Sequence, residues 1–254
     1  MKLLATTLTA ALLTTVSAIA ADLPSNKSSN AAPIAVAGSW AGYYVGAHAG
    51  WGMGSFKNFD KDANELKSEL TTLLGRPLSM SMSGGSQFVG GLYGGYNFQF
   101  DRVVTGIEAD INLGSITRSA NMPFNVTGNG HTVTGGFNGS QAYQFGGSLR
   151  GRLGYSFNDM LPYVTGGLAL AKNKWTLGGN ARLDGNAVQG LSMSESQRQY
   201  GYALGGGLEY KLSAKIVGRI EYLYTNFNET EVGNSGSKYA TKINQVRAGL
   251  SYKF

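Results

Sequence analysis

Two acidic residues, Glu108 and Asp110, are the first feature of this sequence that could perform chemistry. In a β-strand, residues two positions apart have side chains on the same face, and two neighbouring carboxyl groups can act as a general acid and a general base. Four arginines in comparable positions of other segments can neutralise such carboxylates. Because a buried charge without a partner is costly, we interpret these carboxylates as members of a structural ion-pair network and predict no catalytic residues.

The two histidines, His48 and His131, are the other residues with potential chemistry. We predict that His48 faces inward on a strand and that His131 lies in an outer loop. Neither has further ligands at the spacing of a metal site, and the chain has no cysteine. Metal or haem ligation by His131 is the alternative to a solvated loop histidine, which we favour. Because the sequence also shows no Ser-His-acid set and no phosphate-binding glycine motif in its required context, we expect no enzyme, no cofactor and no metal.

The N-terminal residues have the pattern of a cleavable signal peptide. Lys2 precedes an apolar run over residues 3–16, and Ala18-Ile19-Ala20 supplies the small-x-small cleavage pattern. We therefore predict a signal peptide over residues 1–20, a flexible periplasmic segment over residues 21–39 and a membrane domain over residues 40–254. No later apolar run approaches the length of a membrane-spanning helix, which argues against a helical membrane protein.

The composition narrows the class of protein further. The formal net charge is +6, but the charges are scattered along the chain and form no basic stripe, so we expect no nucleic-acid partner. Glycine accounts for 38 of 254 residues, together with 14 tyrosines and 11 phenylalanines. This combination indicates tightly curved strands and not a disordered linker.

Period-two alternation of apolar and polar residues dominates the chain from Trp40 onward and predicts eight β-strands joined as hairpins. Three connections, around Asp101, Asn158 and Ser213, are short, and the others are long. This alternation of turn and loop lengths is typical of outer-membrane barrels. We therefore predict an all-β fold, an eight-stranded antiparallel transmembrane β-barrel with long outer loops. The predicted strands cover residues 40–53, 87–100, 102–115, 141–157, 161–175, 197–212, 214–227 and 241–254.

The mid-strand ionisable residues all fall on one face of their strands, which we predict to be the barrel interior. A Lys or Arg facing lipid at the midplane costs about 2–4 kcal/mol, and the interior of an eight-stranded barrel is just wide enough to be filled by side chains. We therefore expect a formally neutral ion-pair network and no wide pore, with inward glycines such as Gly146, Gly205 and Gly207 leaving room for the arginines. The predicted network consists of Glu108, Asp110, Arg150, Arg152, Glu209, Arg219, Glu221 and Arg247.

The opposite face of each strand is apolar, and we predict that it contacts lipid. In the fourth strand this face includes Tyr143, Phe145 and Leu149. Aromatic residues near strand ends, among them Trp40 and Trp175, are predicted to form girdles at the membrane interfaces.

The first predicted outer loop contains the pattern of a short amphipathic helix. Asp62-Ala63-Asn64-Glu65 resembles a capping box, several leucines follow on one face, and Gly75 is a stop signal. Such a helix can cover the barrel mouth, or it can contact a partner or the lipid surface.

Four segments carry a family resemblance: residues 147–155 (GSLRGRLGY), 161–167 (LPYVTGG), 221–224 (EYLY) and 246–254 (VRAGLSYKF). In this order they resemble the alphaproteobacterial outer-membrane immunogenic protein family, which is related to opacity porins. The resemblance covers nearly all of residues 40–254. It implies a small OmpA-like barrel in the bacterial outer membrane with surface exposure and a role in envelope integrity.

The resemblance also implies partners. Phe254 corresponds to the terminal aromatic residue that the barrel-assembly machinery recognises in such proteins. Outer-membrane lipid and lipopolysaccharide surround these barrels, and the outer loops are available to host or envelope components. We expect a structural surface protein. The alternatives are a porin-like channel for small solutes and a surface protein that binds haem or another ligand, as described for some relatives.

Overall fold

A computed structural model of the chain describes residues 39–128, 130–228, 230–231, 238–239 and 241–254. The predicted signal peptide lies outside the described residues, and so does the predicted flexible segment except for Ser39. The elements in chain order are β1 (Gly42–Ser55), α1 (Lys57–Leu74), β2 (Ser81–Gly84), β3 (Ser86–Phe100), β4 (Val103–Gly128), β5 (His131–Tyr155), β6 (Met160–Leu183), β7 (Asn186–Lys211), β8 (Ile216–Phe227), β9 (Thr230–Glu231), β10 (Lys238–Tyr239) and β11 (Lys242–Lys253).

The eight long strands form a closed antiparallel ring. The order is β1, β3, β4, β5, β6, β7, β8 and β11, and β11 pairs again with β1. Closure satisfies the backbone hydrogen bonds of every strand within the ring, as a membrane-spanning sheet requires. The predicted eight-stranded antiparallel barrel is therefore confirmed. No helix within the described part of the chain is long and apolar enough to cross a membrane.

Short turns and long connections alternate around the ring, as predicted. Asp101 and Arg102 link β3 to β4, and the turn after β5 includes Asn158. Asp101 and Asn158 have φ angles of 53° and 57°, a left-handed conformation that short polar side chains tolerate in tight turns. These turns lie at the end of the barrel that also holds Phe254, since β11 ends at Lys253.

Two of the long connections are strand extensions. β4 and β5 stay paired as far as Thr127 and Thr132, and β6 and β7 stay paired as far as their turn at residues 184–185. In these extensions Met122 is buried on the inner face while Asn121 is exposed on the outer face. The polarity of the two faces is thus the reverse of that in the barrel wall, because the outer face of the extensions meets water.

An apolar belt surrounds the barrel wall. Ile107, Leu149, Leu204 and Leu250 each expose between 53% and 61% of their surface on the outer face. Three of them have a buried polar neighbour on the inner face, namely Glu108, Arg150 and Ser251. The predicted assignment of faces is confirmed for these strands.

Tyr143 is an exception, because it is buried inside and not exposed to lipid as predicted. The register of β5 against both β4 and β6 shifts between Gln144 and Gly146. A β-bulge inserts one residue, and this extra residue reverses the faces of all residues that precede it in β5. The outward prediction for Tyr143 was therefore wrong.

The two tryptophans predicted for the girdles are also placed differently. Trp40 is 2% exposed and packs with Val104, Leu161 and Val217 across the turn end of the barrel. Trp175 is half-buried on the inner face, with its ring centroid 6.1 Å from that of Phe59. The prediction that these two rings belong to the girdles was therefore wrong.

Helix α1 follows β1 directly and begins at Lys57, five residues before the predicted start. The capping-box prediction at Asp62 was wrong, because the burial of Phe56 and Phe59 in the barrel interior fixes the first turn instead. Arg118 of β4 holds the same turn through a 2.9 Å contact from its Nε to Oδ1 of Asp60. The predicted stop at Gly75 is confirmed by its left-handed φ of 63°.

Candidate functional site

The structure places all eight predicted network residues inside the barrel, each no more than 4% exposed. Glu108 and Asp110 come from β4, Arg150 and Arg152 from β5, and the others from β7, β8 and β11. Three acid–arginine pairs lie directly opposite each other on neighbouring strands: Glu108 and Arg150, Glu209 and Arg219, and Glu221 and Arg247. The strand register therefore builds most of the network.

Arg150 connects the two sides of the barrel interior. Its Nη2 lies 2.7 Å from Oε1 of Glu108 and 2.8 Å from Oδ2 of Asp110. Its Nη1 lies 3.2 Å from Oε1 of Glu221 on β8. One guanidinium thus contacts three carboxylates, two on a neighbouring strand and one on the far wall.

Arg219 forms a second such connection. Its Nη2 lies 2.5 Å from Oε2 of Glu108 and 2.6 Å from Oε1 of Glu209. Arg152 contacts Glu209 at 2.8 Å, and Arg247 contacts Glu221 at 2.5 Å. All four arginines and all four carboxylates are therefore joined in one network across the interior.

Three inward tyrosines complete the network, and sequence reasoning missed them. The Tyr44 hydroxyl donates a hydrogen bond to Glu108 Oε2 at 2.8 Å, and the Tyr163 hydroxyl donates one to Glu221 Oε2 at 2.5 Å. The guanidinium of Arg219 lies 4.1 Å from the centroid of the Tyr93 ring, a cation–π arrangement. The signal that could have found these tyrosines is their position on the inward parity.

Of the three inward glycines predicted to leave room for arginines, Gly146 and Gly207 lie against tyrosine rings instead, whereas other inward glycines, such as Gly50 beside Arg247, do lie against an arginine. A Cβ atom on Gly207 would fall 2.8 Å from the Tyr163 hydroxyl, and one on Gly146 would fall 1.9 Å from the Tyr143 hydroxyl. At Gly205 the three nearest atoms to an added Cβ belong to Tyr222 and Leu223.

Further layers of buried side chains lie on both sides of the ion-pair network. Towards the outer mouth lies an apolar layer that includes Ile116 and Tyr143, and beyond it a polar layer in which Gln141 and Asn173 both hydrogen-bond Thr241. Phe56 and Phe59 cover the mouth side, and the Trp40 cluster covers the turn end. The ion-pair network is therefore flanked by buried side chains towards both ends of the barrel.

The histidines occupy very different sites. His48 is buried inside, with its Nε2 3.5 Å from Nη1 of Arg247. His131 lies exposed at the tip of the β4–β5 extension, where its Nδ1 lies 2.6 Å from Oδ2 of Asp184 in the neighbouring tip. The hydrogen bonds from the His131 ring and from the Thr132 amide lower the pKa of the Asp184 carboxyl below its ordinary value. No group of three metal-ligating side chains occurs among the described residues.

A cavity of about 620 Å³ lies between α1 and the inner face of the two extensions. Its wall is mostly apolar, and the carboxylates of Asp62 and Glu195 are among its polar groups. The apolar lining includes Phe59, Leu66, Met122, Phe137, Trp175 and Met193.

Comparisons with known proteins agree with this architecture. Residues 8–254 match the family model described as the outer membrane protein beta-barrel domain. The 31 kDa outer-membrane immunogenic protein of Brucella melitensis is 34% identical over 250 residues, covering 94% of each chain. The 25 kDa outer-membrane immunogenic protein of Brucella canis is 31% identical over 241 residues, covering 93% of this chain and 91% of that protein.

Among solved structures, the outer membrane protein OprG of Pseudomonas aeruginosa aligns with 84% of this chain and 96% of its own, with 14% identity and a TM-score of 0.42. The family match and the Brucella relatives each extend over most of the sequence. This chain therefore belongs to the family of outer-membrane β-barrel proteins and is located in the bacterial outer membrane.

Proposed function

We propose that this protein is a non-enzymatic structural and surface component of the outer membrane, with an interior that does not conduct solutes. It contributes to envelope integrity, and its outer extensions are displayed for surface interactions. The observation that carries this proposal is the network centred on Arg150 and Arg219, which spans the interior from wall to wall.

The energetics of the network argue against a channel. Removing one member of a buried ion pair typically costs about 3–5 kcal/mol, because the remaining charge loses its partner. An ion passing through would have to displace several such contacts at once, and both ends of the interior are covered by apolar clusters. The same contacts tie opposite walls of the barrel together, which suits a structural role.

Planar-bilayer recording with the purified barrel tests the closed interior. We expect a stable baseline from the native protein under conditions in which a general porin gives discrete steps. A double variant that shortens two network arginines, Arg150→Ala with Arg219→Ala, serves as a matched opened control if it folds. Stable, reproducible steps from the native protein would overturn the proposal.

Envelope integrity is tested in the producing bacterium. We expect that deletion of the gene raises sensitivity to detergent and to chelators, and that the native chain restores resistance. Equal sensitivity of the deleted and restored strains would contradict a role in envelope integrity, whatever the conductance measurement gives.

A second candidate function is capture of a small apolar molecule, and the cavity beneath α1 favours it. Its volume of about 620 Å³ lies within the range of ligand pockets, roughly 300–1,000 Å³. His131 is not part of the lining, so this site favours an apolar ligand and not a histidine-ligated haem. Titration with an uncharged fluorescent apolar probe should give saturable binding that Met193→Trp weakens and His131→Ala leaves unchanged. The reverse pattern would reject the cavity as the site.

A further inference from the structure

We propose that Lys172, Lys174 and Arg198 form a binding site for the phosphate groups of lipopolysaccharide in the outer leaflet. The three side chains belong to the neighbouring strands β6 and β7. The inference rests on the membrane placement of the barrel and is independent of whether its interior conducts.

The three cations lie on the outer face of the sheet. Their neighbours Ala171, Asn173 and Gln199 are buried inside, at 3%, 0% and 2% exposure. Because faces alternate along a strand, Lys172 and Arg198 point outward, and both are exposed. Lys174 follows on the same parity as Lys172.

Lys172 and Arg198 are directly opposite each other in the register of β6 and β7. Like charges in this position repel each other and destabilise a sheet. The outward residues beside them are uncharged: Gln144 lies opposite Lys172 on β5, and Ser196 lies opposite Lys174 on β7. Within the described residues, the structure contains no salt bridge from any of the three cations. An anion between them would convert repulsion into attraction.

The height of the cations on the barrel identifies the source of that anion. Two residues towards the membrane, Leu170 and Tyr200 are 53% and 64% exposed and belong to the apolar belt. The cations therefore stand directly above the belt, where long basic side chains reach lipid headgroups. Arginine and lysine donate several hydrogen bonds to phosphate oxygens. Lipid anchored in the same leaflet presents its phosphates at this level continuously.

The test compares the native barrel with the double variant Lys172→Gln/Arg198→Gln in uncharged detergent micelles. The probes are bisphosphorylated lipid A, lipid A stripped of its phosphates, and inorganic phosphate, with affinity and Tm as readouts. We expect the double variant to bind bisphosphorylated lipid A about 25-fold more weakly, or about fivefold for each cation. Without lipid, its Tm should equal or exceed that of the native protein, because the repulsion is removed.

Lys242→Gln provides the matched control, since Lys242 is exposed on the outer face of β11 opposite the uncharged Asn226. It should change the affinity much less than the double variant does. Equal binding of phosphorylated and stripped lipid A, or equal binding by the native and double-variant proteins, would overturn the proposal. Stabilisation by inorganic phosphate as strong as that by lipid A would overturn the assignment to lipid. None of these outcomes bears on the bilayer recordings, which test the closed interior separately.

Discussion

Glu108 and Arg150 occupy directly opposed positions on β4 and β5, and their side chains meet at 2.7 Å inside the barrel. The pair is an ion pair between two neighbouring strands, and it also belongs to the network that reaches the far wall. We expect Arg150→Met to lower the free energy of unfolding by about 3–5 kcal/mol, because three carboxylates lose a partner. Urea unfolding in micelles measures this loss.

A double-mutant cycle separates pairing from mere truncation. Arg150→Met combined with Glu108→Gln should cost less than the sum of the two single substitutions, since the second change removes a charge left without its partner. Strict additivity would contradict the pairing described here.

The lipid-facing belt gives a second prediction. Leu149 precedes Arg150 in the sequence but is 61% exposed on the outer face. Leu149→Arg should lower the free energy of unfolding by about 2–4 kcal/mol, the cost of a cation near the bilayer midplane. The folded fraction of the variant should fall accordingly. Leu149→Met, which keeps the site apolar, is the control and should assemble normally. Heat modifiability in gels reports the folded fraction, and equal assembly of both variants would count against the assignment of faces.

Two adjacent glycines of β3 provide a third prediction. A Cβ atom on Gly95 would fall 2.3 Å from the carbonyl oxygen of Ile107 and 2.6 Å from the Tyr44 hydroxyl, whereas one on Gly94 would meet nothing closer than 3.3 Å. Gly95→Ala should therefore destabilise the barrel by about 1–3 kcal/mol through overpacking. Gly94→Ala should stay within about 0.5 kcal/mol of the native protein. Denaturant midpoints of the two variants compare them directly, and similar midpoints would show that the packing of Ile107 and Tyr44 does not require a glycine at this position.

The contact between the extension tips gives a pH dependence. The pKa of Asp184 is lower in the folded protein than its ordinary value of 3.8. The stabilisation that the ionised carboxyl gives to the folded tips is therefore fully present above that value and is lost as the pH falls through the folded pKa. Hydrogen exchange at Thr132, whose amide donates to Asp184 at 2.8 Å, should therefore quicken at acid pH relative to other tip amides. Asp184→Asn should remove this acid response, and an unchanged response in that variant would assign it to another group.

Much of the barrel could be predicted because a membrane-spanning strand has a strong period of two. The apolar belt requires the ionisable residues of each strand to lie on the other face. Which residues belong to the ion-pair network, such as Glu108 and Arg247, therefore follows from their odd or even position in the strand. Which acid meets which arginine depends on the strand register, and period-two alternation carries no register between strands. The contacts of Arg150 with the far wall depend on the curvature of the closed ring and are equally absent from local sequence.

The errors have local physical causes. A single bulge at the Gln144–Gly146 step moves Tyr143 from the predicted lipid face to the interior, and no residue type marks that bulge. Phe56 and Phe59 set the start of α1 through burial, which outweighs the capping pattern at Asp62. The sequence pattern predicts loops where the strand extensions lie, because their polar outer face and apolar inner face invert the pattern of the barrel wall.

The extension formed by β6 and β7 has an open sheet edge along the first part of β7. β8 pairs with β7 only from Gly201 onward, so residues 186–198 have no strand partner on that side within the described chain. Unpaired backbone amides and carbonyls of an edge strand point sideways in the plane of the sheet, where they form a ready template for one more extended chain. A polypeptide that added itself there would be recognised through its main chain, so that its own side chains could vary widely without loss of the contact.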